Sequence, residues 1–188
     1  ATPLFVRRWL LLSAEISQTF GLSRPVRLLV SDRAAMPVTW GFLRPRMMLP
    51  KGAEDWPEER MRIVLSHELA HVRRHDWLVQ ILAEAGRAVY WFNPLVWMGC
   101  SRLRQESEYA CDDAVMNTGV EGSEYAEHLL ELARTLRNSE RAWAVALAMA
   151  RPTNLERRFL AMLNPTLKRK AVTKRAVPSI VFSAMLPE

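Results

Sequence analysis

Cysteine is scarce in this chain, and its spacing excludes an internal disulfide. The 188 residues contain two cysteines, Cys100 and Cys111, which fall in one predicted helix. Their spacing separates them by about 16 Å along the helix axis, whereas the Cα atoms of a disulfide lie within about 7 Å of each other. We therefore expect two free thiols, which are typical of a reducing compartment such as the cytosol.

The sequence also has no apolar run of about 18 residues or more and no secretory signal peptide, so no membrane-spanning segment is predicted within it. Both ends nonetheless have the composition of a membrane approach. The chain opens with the apolar PLFVRRWLLL, and the basic LKRKAVTKR is followed by the apolar AVPSIVFSAML. A cationic cluster beside an apolar run is typical of the cytosolic flank of a transmembrane helix. A basic surface followed by a strand or a disordered tail is the alternative.

Acidic residues are outnumbered by basic ones, which gives a net charge of +6 and a pI near 9.9. This balance favours acidic partners, namely nucleic acid, anionic lipid or acidic protein surfaces. No predicted helix has a concentrated basic face with base-reading residues, so we expect no direct contact with nucleic acid. The apolar fraction of 49% is enough for one domain with a substantial core.

The hydrophobic pattern predicts a mostly helical α+β domain with a small N-terminal sheet. Residues 3–20 carry apolar side chains at helical spacing and end at Gly21. Segments 25–32 and 36–50 predict short strands, the second with a turn at Gly41. Pro37 indicates an edge strand, which could pair with an extended peptide or simply form a structural hairpin.

The remainder of the chain is predicted to be helical. One long helix is expected over 54–91, and its many apolar positions predict that much of it is buried. A second helix begins with Asn93 as its cap and Pro94 in its first turn, and ends at Gly119. Further helices are predicted over 124–138, 141–150 and 153–164.

The segment His67-Glu68-Leu69-Ala70-His71 carries a metal-binding pattern. Residues four apart on a helix lie on one face, so the two imidazoles can bind one Zn²⁺ from the same side. Glu68 is rotated by about 100° from His67 and can act on a water molecule beside the metal as a general base. The alternative is a hydrated helix face with a local hydrogen bond. The apolar surroundings disfavour it, because unpaired polar groups there would be costly.

A third ligand is expected from RQESEYACDD in the second helix. The first helix runs about 28 Å from His71 to Tyr90, and the second returns about 21 Å by Glu108, which brings Glu108 near the histidines. Glu108 is therefore predicted to be the third ligand. Asp112, one turn further, is predicted to bind the far nitrogen of a ligating histidine. A solvated acidic face is the alternative.

Four other residues are chemically possible ligands or neighbours of the metal. His75 lies too far along a straight helix to join His67, so we expect it to face solvent or to support the site from outside. His128 is a candidate ligand without a supporting pattern. Cys111 is a conceivable soft ligand, but a buried thiol is the preferred interpretation. Glu106 is expected to face solvent.

Taken together, these segments resemble the BlaR/MecR-type membrane zinc metallopeptidases. HELAHVRRHDWLVQ followed by ESEYACDD carries the resemblance, VTWGFLRPRMMLP resembles the stretch ahead of the zinc helix, and LERRFLAML resembles the segment before a final transmembrane helix. The resemblance covers about residues 25–175. It implies a zincin-like fold of the gluzincin type, in which the HExxH helix packs against the glutamate helix. It also implies Zn²⁺ bound by His67, His71 and Glu108, with Glu68 as the base.

The same resemblance implies a domain organisation and a function. Residues 1–24 would form a helix leading from a membrane segment, 25–165 the zinc metallopeptidase domain, and 166–188 a basic juxtamembrane tail. The domain would lie at the cytoplasmic face of the bacterial inner membrane, between transmembrane helices. It would be an endopeptidase that cuts itself, a transcriptional repressor, or both. No Ser-x-x-Lys motif of a penicillin-binding module is present in these 188 residues.

Two questions stay open in the sequence. Tyr109, Tyr125, His128 and Arg104 are all chemically capable of stabilising the oxyanion. The domain could also be a non-catalytic, zinc-stabilised signalling or interaction module. The presence of Glu68 disfavours that alternative, because a structural zinc site needs no base.

Overall fold

The structure of the protein is a computed structural model, and it describes residues 1–4, 6–137 and 152–163. The helix predicted over 141–150 and the basic tail predicted over 166–188 lie outside these residues, as does Phe5.

Within the described residues, the chain forms a small sheet followed mainly by helices, which confirms the predicted α+β class. The helices are α1 (Arg7–Thr19), α2 (Glu58–Arg74), α3 (Asp76–Val89), α4 (Pro94–Met116), α5 (Gly122–Arg137) and α6 (Pro152–Leu163). The strands are β1 (Thr2–Pro3), β2 (Arg27–Ser31), β3 (Val38–Trp40) and β4 (Arg46–Pro50). A short 3-10 turn, Ala53–Asp55, precedes α2.

The sheet has the order β1-β2-β4-β3, with β2 and β4 parallel and both outer pairs antiparallel. Alternate residues of the central strands are buried, as expected for a sheet with one covered face. The predicted turn between β3 and β4 is confirmed, and β3 is the edge strand that Pro37 indicated. Gly41 in that turn has φ 91°, and a Cβ atom there would lie 2.9 Å from the Arg44 carbonyl oxygen. Only glycine fits this position without strain.

The first predicted helix begins later than expected. Thr2–Pro3 pairs with β2 as an edge strand, a position that tolerates proline, and α1 starts at Arg7. Its apolar face is buried as predicted, and Trp9 is fully buried with its indole N–H donating to the Ala53 carbonyl at 3.1 Å.

Helix α2 lies between two apolar clusters. Leu65 and Leu69 are fully buried with α1 and the sheet. Ile63, on another face of the same helix, packs with Val115 of α4 and Tyr125 of α5. Packing on two faces fixes the rotation of α2 about its axis, and with it the direction in which its polar residues point.

The prediction of one helix over 54–91 is wrong. α2 ends at Arg74 and α3 begins at Asp76, because His75 adopts a left-handed conformation with φ 59°. The His75 N–H binds the Val72 carbonyl at 3.2 Å, which closes α2. The apolar periodicity continues across the break, and no glycine or proline marks it, so the sequence pattern did not indicate a stop.

The burial predicted for this segment holds for α2 but not for α3. Ile81 and Leu82 of α3 are 44% and 63% exposed. Helix α3 packs on α4 along one face and leaves much of its apolar surface uncovered by any described residue.

Helices α3 and α4 form an antiparallel hairpin. The Cys100 thiol donates to the Ala83 carbonyl at 3.4 Å, and Arg104 forms an ion pair with Glu84 at 3.2 Å. The Asn93 side chain accepts from the Leu95 N–H at 3.0 Å, which confirms the predicted cap of α4. Among the described helices, none combines the length and the apolar character that crossing a bilayer requires.

Candidate metal centre

Helix α2 presents His67 and His71 side by side. Their ring centroids lie 4.9 Å apart with an angle of 81° between the planes. Ile63, one turn before His67 on the same face of α2, packs with Val115 of α4, so the histidines point toward α4. Both side chains are largely buried.

Glu108 of α4 lies directly against both rings. Its Oε2 atom is 3.5 Å from His67 Nε2, and its Oε1 atom is 3.7 Å from His71 Nε2. One donor atom from each of the three residues lies within 4.8 Å of the other two. Donors around a tetrahedral Zn²⁺ with bonds of about 2.0–2.1 Å are about 3.3 Å apart, so this spacing fits one such ion. Two imidazole nitrogens and a carboxylate are also ligands that zinc prefers, and they leave a fourth position open.

The far nitrogen of His67 faces hydrogen-bond partners. Its Nδ1 atom lies 2.9 Å from the Tyr125 hydroxyl and 3.3 Å from Oδ1 of Asp112. The Tyr125 hydroxyl in turn donates to Asp112 at 2.7 Å. An Nδ1–H held by acceptors leaves the Nε2 lone pair facing Glu108, which is the tautomer that binds a metal ion.

His71 has a corresponding partner in Asp76, a residue that sequence reasoning missed. Its Nδ1 atom is 2.9 Å from Oδ2 of Asp76, which also accepts from Arg74 at 3.1 Å. Asp76 is buried at the first turn of α3, where the left-handed conformation of His75 places it back against α2. The sequence signal that could have indicated this role is an acidic residue at the start of a long, mostly apolar stretch.

Arg158 of α6 is the second residue that was missed. Its guanidinium contacts both Asp112 oxygens, at 2.6 and 2.7 Å, and lies 3.1 Å from Oε2 of Glu108. The side chain is largely buried, so it acts as a cation enclosed with these two carboxylates. Two adjacent arginines in LERRFLAML gave no sign of which would turn inward.

The charges around the site favour a cation at the Nε2 atom of His67. Burial would raise the pKa of Glu108, but its hydrogen bond with His67 and the charge of Arg158 hold that pKa well below its usual range. Burial would also raise the pKa of Asp112. That pKa is nevertheless lowered, mainly by the positive charge of Arg158. Burial would lower the pKa of His67, but the hydrogen bonds that the imidazolium donates to Asp112 and Glu108 raise it instead. A proton or a metal ion is therefore stabilised here.

Glu68 lies one residue beyond His67 and outside the donor group. Its Oε2 atom accepts a hydrogen bond of 2.7 Å from the hydroxyl of Thr39, on the edge strand β3. Thr39 was not predicted to belong to the site, because nothing in the sequence indicated that β3 would reach α2. This contact brings the edge strand next to the donor group.

A family model described as BlaR1 peptidase M56 matches residues 10–163 of the chain. The chain belongs to this family. It is 31% identical over 157 residues to the regulatory protein BlaR1 of Bacillus licheniformis, covering 80% of this chain and 26% of that protein. It is 26% identical over 81 residues to the methicillin resistance mecR1 protein of Staphylococcus aureus, covering 43% of this chain and 14% of that protein. The chain thus spans about a quarter or less of these relatives, and the predicted BlaR/MecR resemblance is confirmed.

In this M56 family member, the remaining candidates lie apart from the three donors. His75 is exposed and meets the Phe42 ring edge-on at 5.1 Å. His128 lies in a separate group with Glu59 and Glu124. Glu106 is exposed and forms an ion pair with Arg102, as expected of a solvent-facing residue.

Two other candidates are buried behind the histidines. Cys111 is fully buried, as predicted, and its sulfur is 3.3 Å from Nδ1 of His71, on the side of that ring away from Glu108. Burial raises the pKa of this thiol, so it is neutral. The Tyr125 hydroxyl is similarly committed to Asp112, and burial raises its pKa well above the usual value. Both groups contact the Nδ1 side of the rings, away from the Nε2 atoms that face Glu108.

Proposed function

We propose that the chain is the catalytic domain of a zinc-dependent endopeptidase, with His67, His71 and Glu108 as ligands and Glu68 as the general base. The observation that carries this proposal is the convergence of three zinc-type donors, from two helices, on one point with Glu68 beside it. Membership of a peptidase family supports the same chemistry. The packing of α2 against α4 supports, in addition, a zincin-like architecture of the gluzincin type.

Each residue then has a defined task. A bound zinc ion would supply Lewis acidity, which polarises a peptide carbonyl and acidifies water. Glu68 accepts the proton from the attacking water and passes it to the leaving amine. Thr39 holds one Glu68 oxygen, which fixes the direction of the carboxylate. Asp112 and Asp76 hold the far nitrogens of the two histidines, so that both rings present Nε2 to the ion.

The edge strand β3 supports a role in holding the substrate. It ends the sheet, so no described strand pairs with its outer side. An extended peptide added there would run past Thr39 and therefore past Glu68. This arrangement favours cleavage of an extended segment of polypeptide over hydrolysis of a small molecule.

The setting in a larger protein is also part of the proposal. The relatives are named as a regulatory and a resistance protein, and the chain matches only a part of each. We infer a membrane signal-transducing protease in which residues 25–165 form the peptidase domain, 1–24 lead from a membrane segment and 166–188 lead to one. Its protein substrate would be itself, a regulator such as a transcriptional repressor, or both, at the cytoplasmic face of the bacterial inner membrane.

The test separates metal binding from catalysis. Glu68→Gln is expected to retain zinc at the stoichiometry of the parent and to lose cleavage, because the amide cannot accept a proton. Zinc content is measured by mass spectrometry and cleavage by following the parent chain and peptide substrates. Glu106→Gln, an exposed residue of α4, is the matched control and should cleave normally.

Two outcomes would contradict the proposal. Cleavage by Glu68→Gln at the rate of the parent would exclude Glu68 as the base. Zinc bound by the parent without any cleavage, in both the isolated chain and the membrane-embedded full-length protein, would favour the alternative of a zinc-stabilised interaction module.

A further inference from the structure

The closed end of the α3–α4 hairpin exposes a continuous apolar surface. Six side chains there are each more than half exposed, and we call them the apolar tip: Val89, Tyr90, Trp91, Phe92, Leu95 and Met98. No residue from Ala88 to Ser101 is charged. Single exposed apolar residues are ordinary on a protein surface, but a contiguous group of this kind indicates an interaction site.

The charges nearest the apolar tip are paired, with one carboxylate between two guanidinium groups. Glu84 of α3 forms ion pairs with Arg87 on its own helix and with Arg104 on α4. The Arg87 guanidinium also lies over the Trp97 ring, 4.6 Å from its centroid. Paired charges of this kind can lie close to an apolar medium at a much lower cost than isolated ones.

Several hydrogen bonds lie within the turn between the two helices. The Asn93 N–H binds the Tyr90 carbonyl at 2.9 Å, and the Asn93 side chain accepts from Leu95 N–H at 3.0 Å. The Trp97 indole N–H donates to the Trp91 carbonyl at 2.8 Å. Each internal hydrogen bond lowers the cost of bringing a turn toward lipid, because lipid offers no partners.

A cluster of four arginines lies near the other end of α3. They line a cavity of about 300 Å³ together with Leu43 and two prolines: Arg24, Arg27, Arg44 and Arg46. Arg24 lies over the Phe42 ring, which in turn contacts His75 at the start of α3. None of the four arginines forms an ion pair with another described residue, so their charge is available to an anionic partner.

We propose that the α3–α4 hairpin inserts into the interfacial region of an anionic lipid bilayer, with the apolar tip among the acyl chains and the arginine cluster facing the headgroups. Helix α3 is 14 residues long, about 21 Å, which separates the apolar tip from the arginine cluster. Tyrosine and tryptophan are the side chains that favour the membrane interface, and apolar faces there lie about 5–10 Å deep. The uncharged tip and the unpaired arginines together favour lipid over a protein partner. This contact is separate from any flanking transmembrane helix and does not depend on the proposed zinc chemistry.

The first experiment measures binding of the full chain to vesicles by sedimentation. Parent protein should bind vesicles rich in phosphatidylglycerol more tightly than vesicles of phosphatidylcholine alone. Trp91→Ser with Phe92→Ser should weaken binding about a hundredfold on both, roughly tenfold for each side chain. Leu160→Ser, on α6, removes a similarly exposed apolar residue and should change nothing.

The arginine cluster is tested with the same vesicles. Arg44→Gln with Arg46→Gln should weaken binding roughly 30-fold on the phosphatidylglycerol vesicles and leave binding to phosphatidylcholine unchanged. Equal loss on both vesicle types would show that these arginines support the fold rather than contact headgroups, which would overturn their place in the proposal.

A depth measurement decides whether the apolar tip itself enters the lipid. A nitroxide label on Phe92→Cys, with Cys100→Ser and the buried Cys111 left in place, should become accessible to oxygen and protected from an aqueous nickel complex when vesicles are added. Several results would overturn the proposal. The label could stay in water, the double tip variant could bind like the parent, or the parent could bind no vesicles. Shielding of the label by self-association without lipid would instead assign the tip to a protein interface.

Discussion

Asp76 should determine how tightly the centre holds a metal ion, and Asp76→Asn isolates that contribution. The substitution keeps the size of the side chain and removes its charge. In the parent, Asp76 is a buried carboxylate whose pKa is lowered despite burial by hydrogen bonds from His71, Ser107 and Arg74. Its Oδ2 atom lies 2.9 Å from His71 Nδ1, on the side of the ring away from Glu108.

The expected loss follows from the position of Asp76 behind a ligand. Removing the partner of a metal-binding histidine typically weakens metal binding 10- to 100-fold, or about 1.4–2.8 kcal/mol. The amide oxygen of asparagine can still accept from His71, so we expect a loss near tenfold. Zinc affinity is measured by competition with a chromophoric chelator at fixed pH. Asp32→Asn, in the exposed turn after β2, is the matched control.

The same variant tests the division of roles within the site. At saturating zinc, Asp76→Asn should cleave within about threefold of the parent, because Glu68 and the three proposed ligands are unchanged. Unchanged zinc affinity would refute the assignment of Asp76 as the residue that orients His71. Lost activity at full zinc occupancy would refute the separation of Asp76 from the chemical step.

Three further predictions concern other contacts of the site. His75→Val should lower the free energy of unfolding by about 1–2 kcal/mol, because a β-branched residue resists the left-handed conformation. His75→Gly should lower the free energy of unfolding by less than His75→Val does. Urea titration measures both variants. Thr39→Val should lower kcat about tenfold with zinc content unchanged, since Glu68 loses a charge-assisted hydrogen bond; an equal rate would show that Thr39 does not position the base. Arg158→Met should lower the free energy of unfolding of the metal-free protein by about 3–5 kcal/mol, because it leaves Glu108 and Asp112 buried without their cation. Added zinc should reduce that loss, and a loss independent of zinc would contradict the link between Arg158 and the centre.

The three donors were predictable because each depends on a short-range rule. His67 and His71 share a helix face through their spacing of four, and the return of the second helix is fixed by helix length and a short turn. The predicted position of Glu108 held despite the unexpected break at His75. Helix α4 packs along both α2 and α3, and it therefore still brings Glu108 back to the histidines.

The residues that were missed depend on long-range packing. Arg158 comes from α6 and Thr39 from β3, and neither has a spacing relation to the HExxH segment. The break at His75 was missed because His75 carries no turn signature and apolar positions continue on both sides of it. The exposure of α3 was missed for a related reason: an apolar face indicates burial, but it does not say whether protein or another medium covers it.

Helix α4 is one uninterrupted helix that links the apolar tip to the candidate metal centre. From Leu95 to Glu108 it advances about 20 Å, and its backbone is continuous over that distance. With the tip about 5–10 Å below the boundary between acyl chains and headgroups, the scissile bond would be held at a fixed height, roughly 10–15 Å above that boundary and beside the headgroup layer. The length of the helix would then select substrates by their distance from the membrane. Polypeptide segments that lie next to the membrane or are tethered to it could reach the site, and segments that cannot approach the membrane could not.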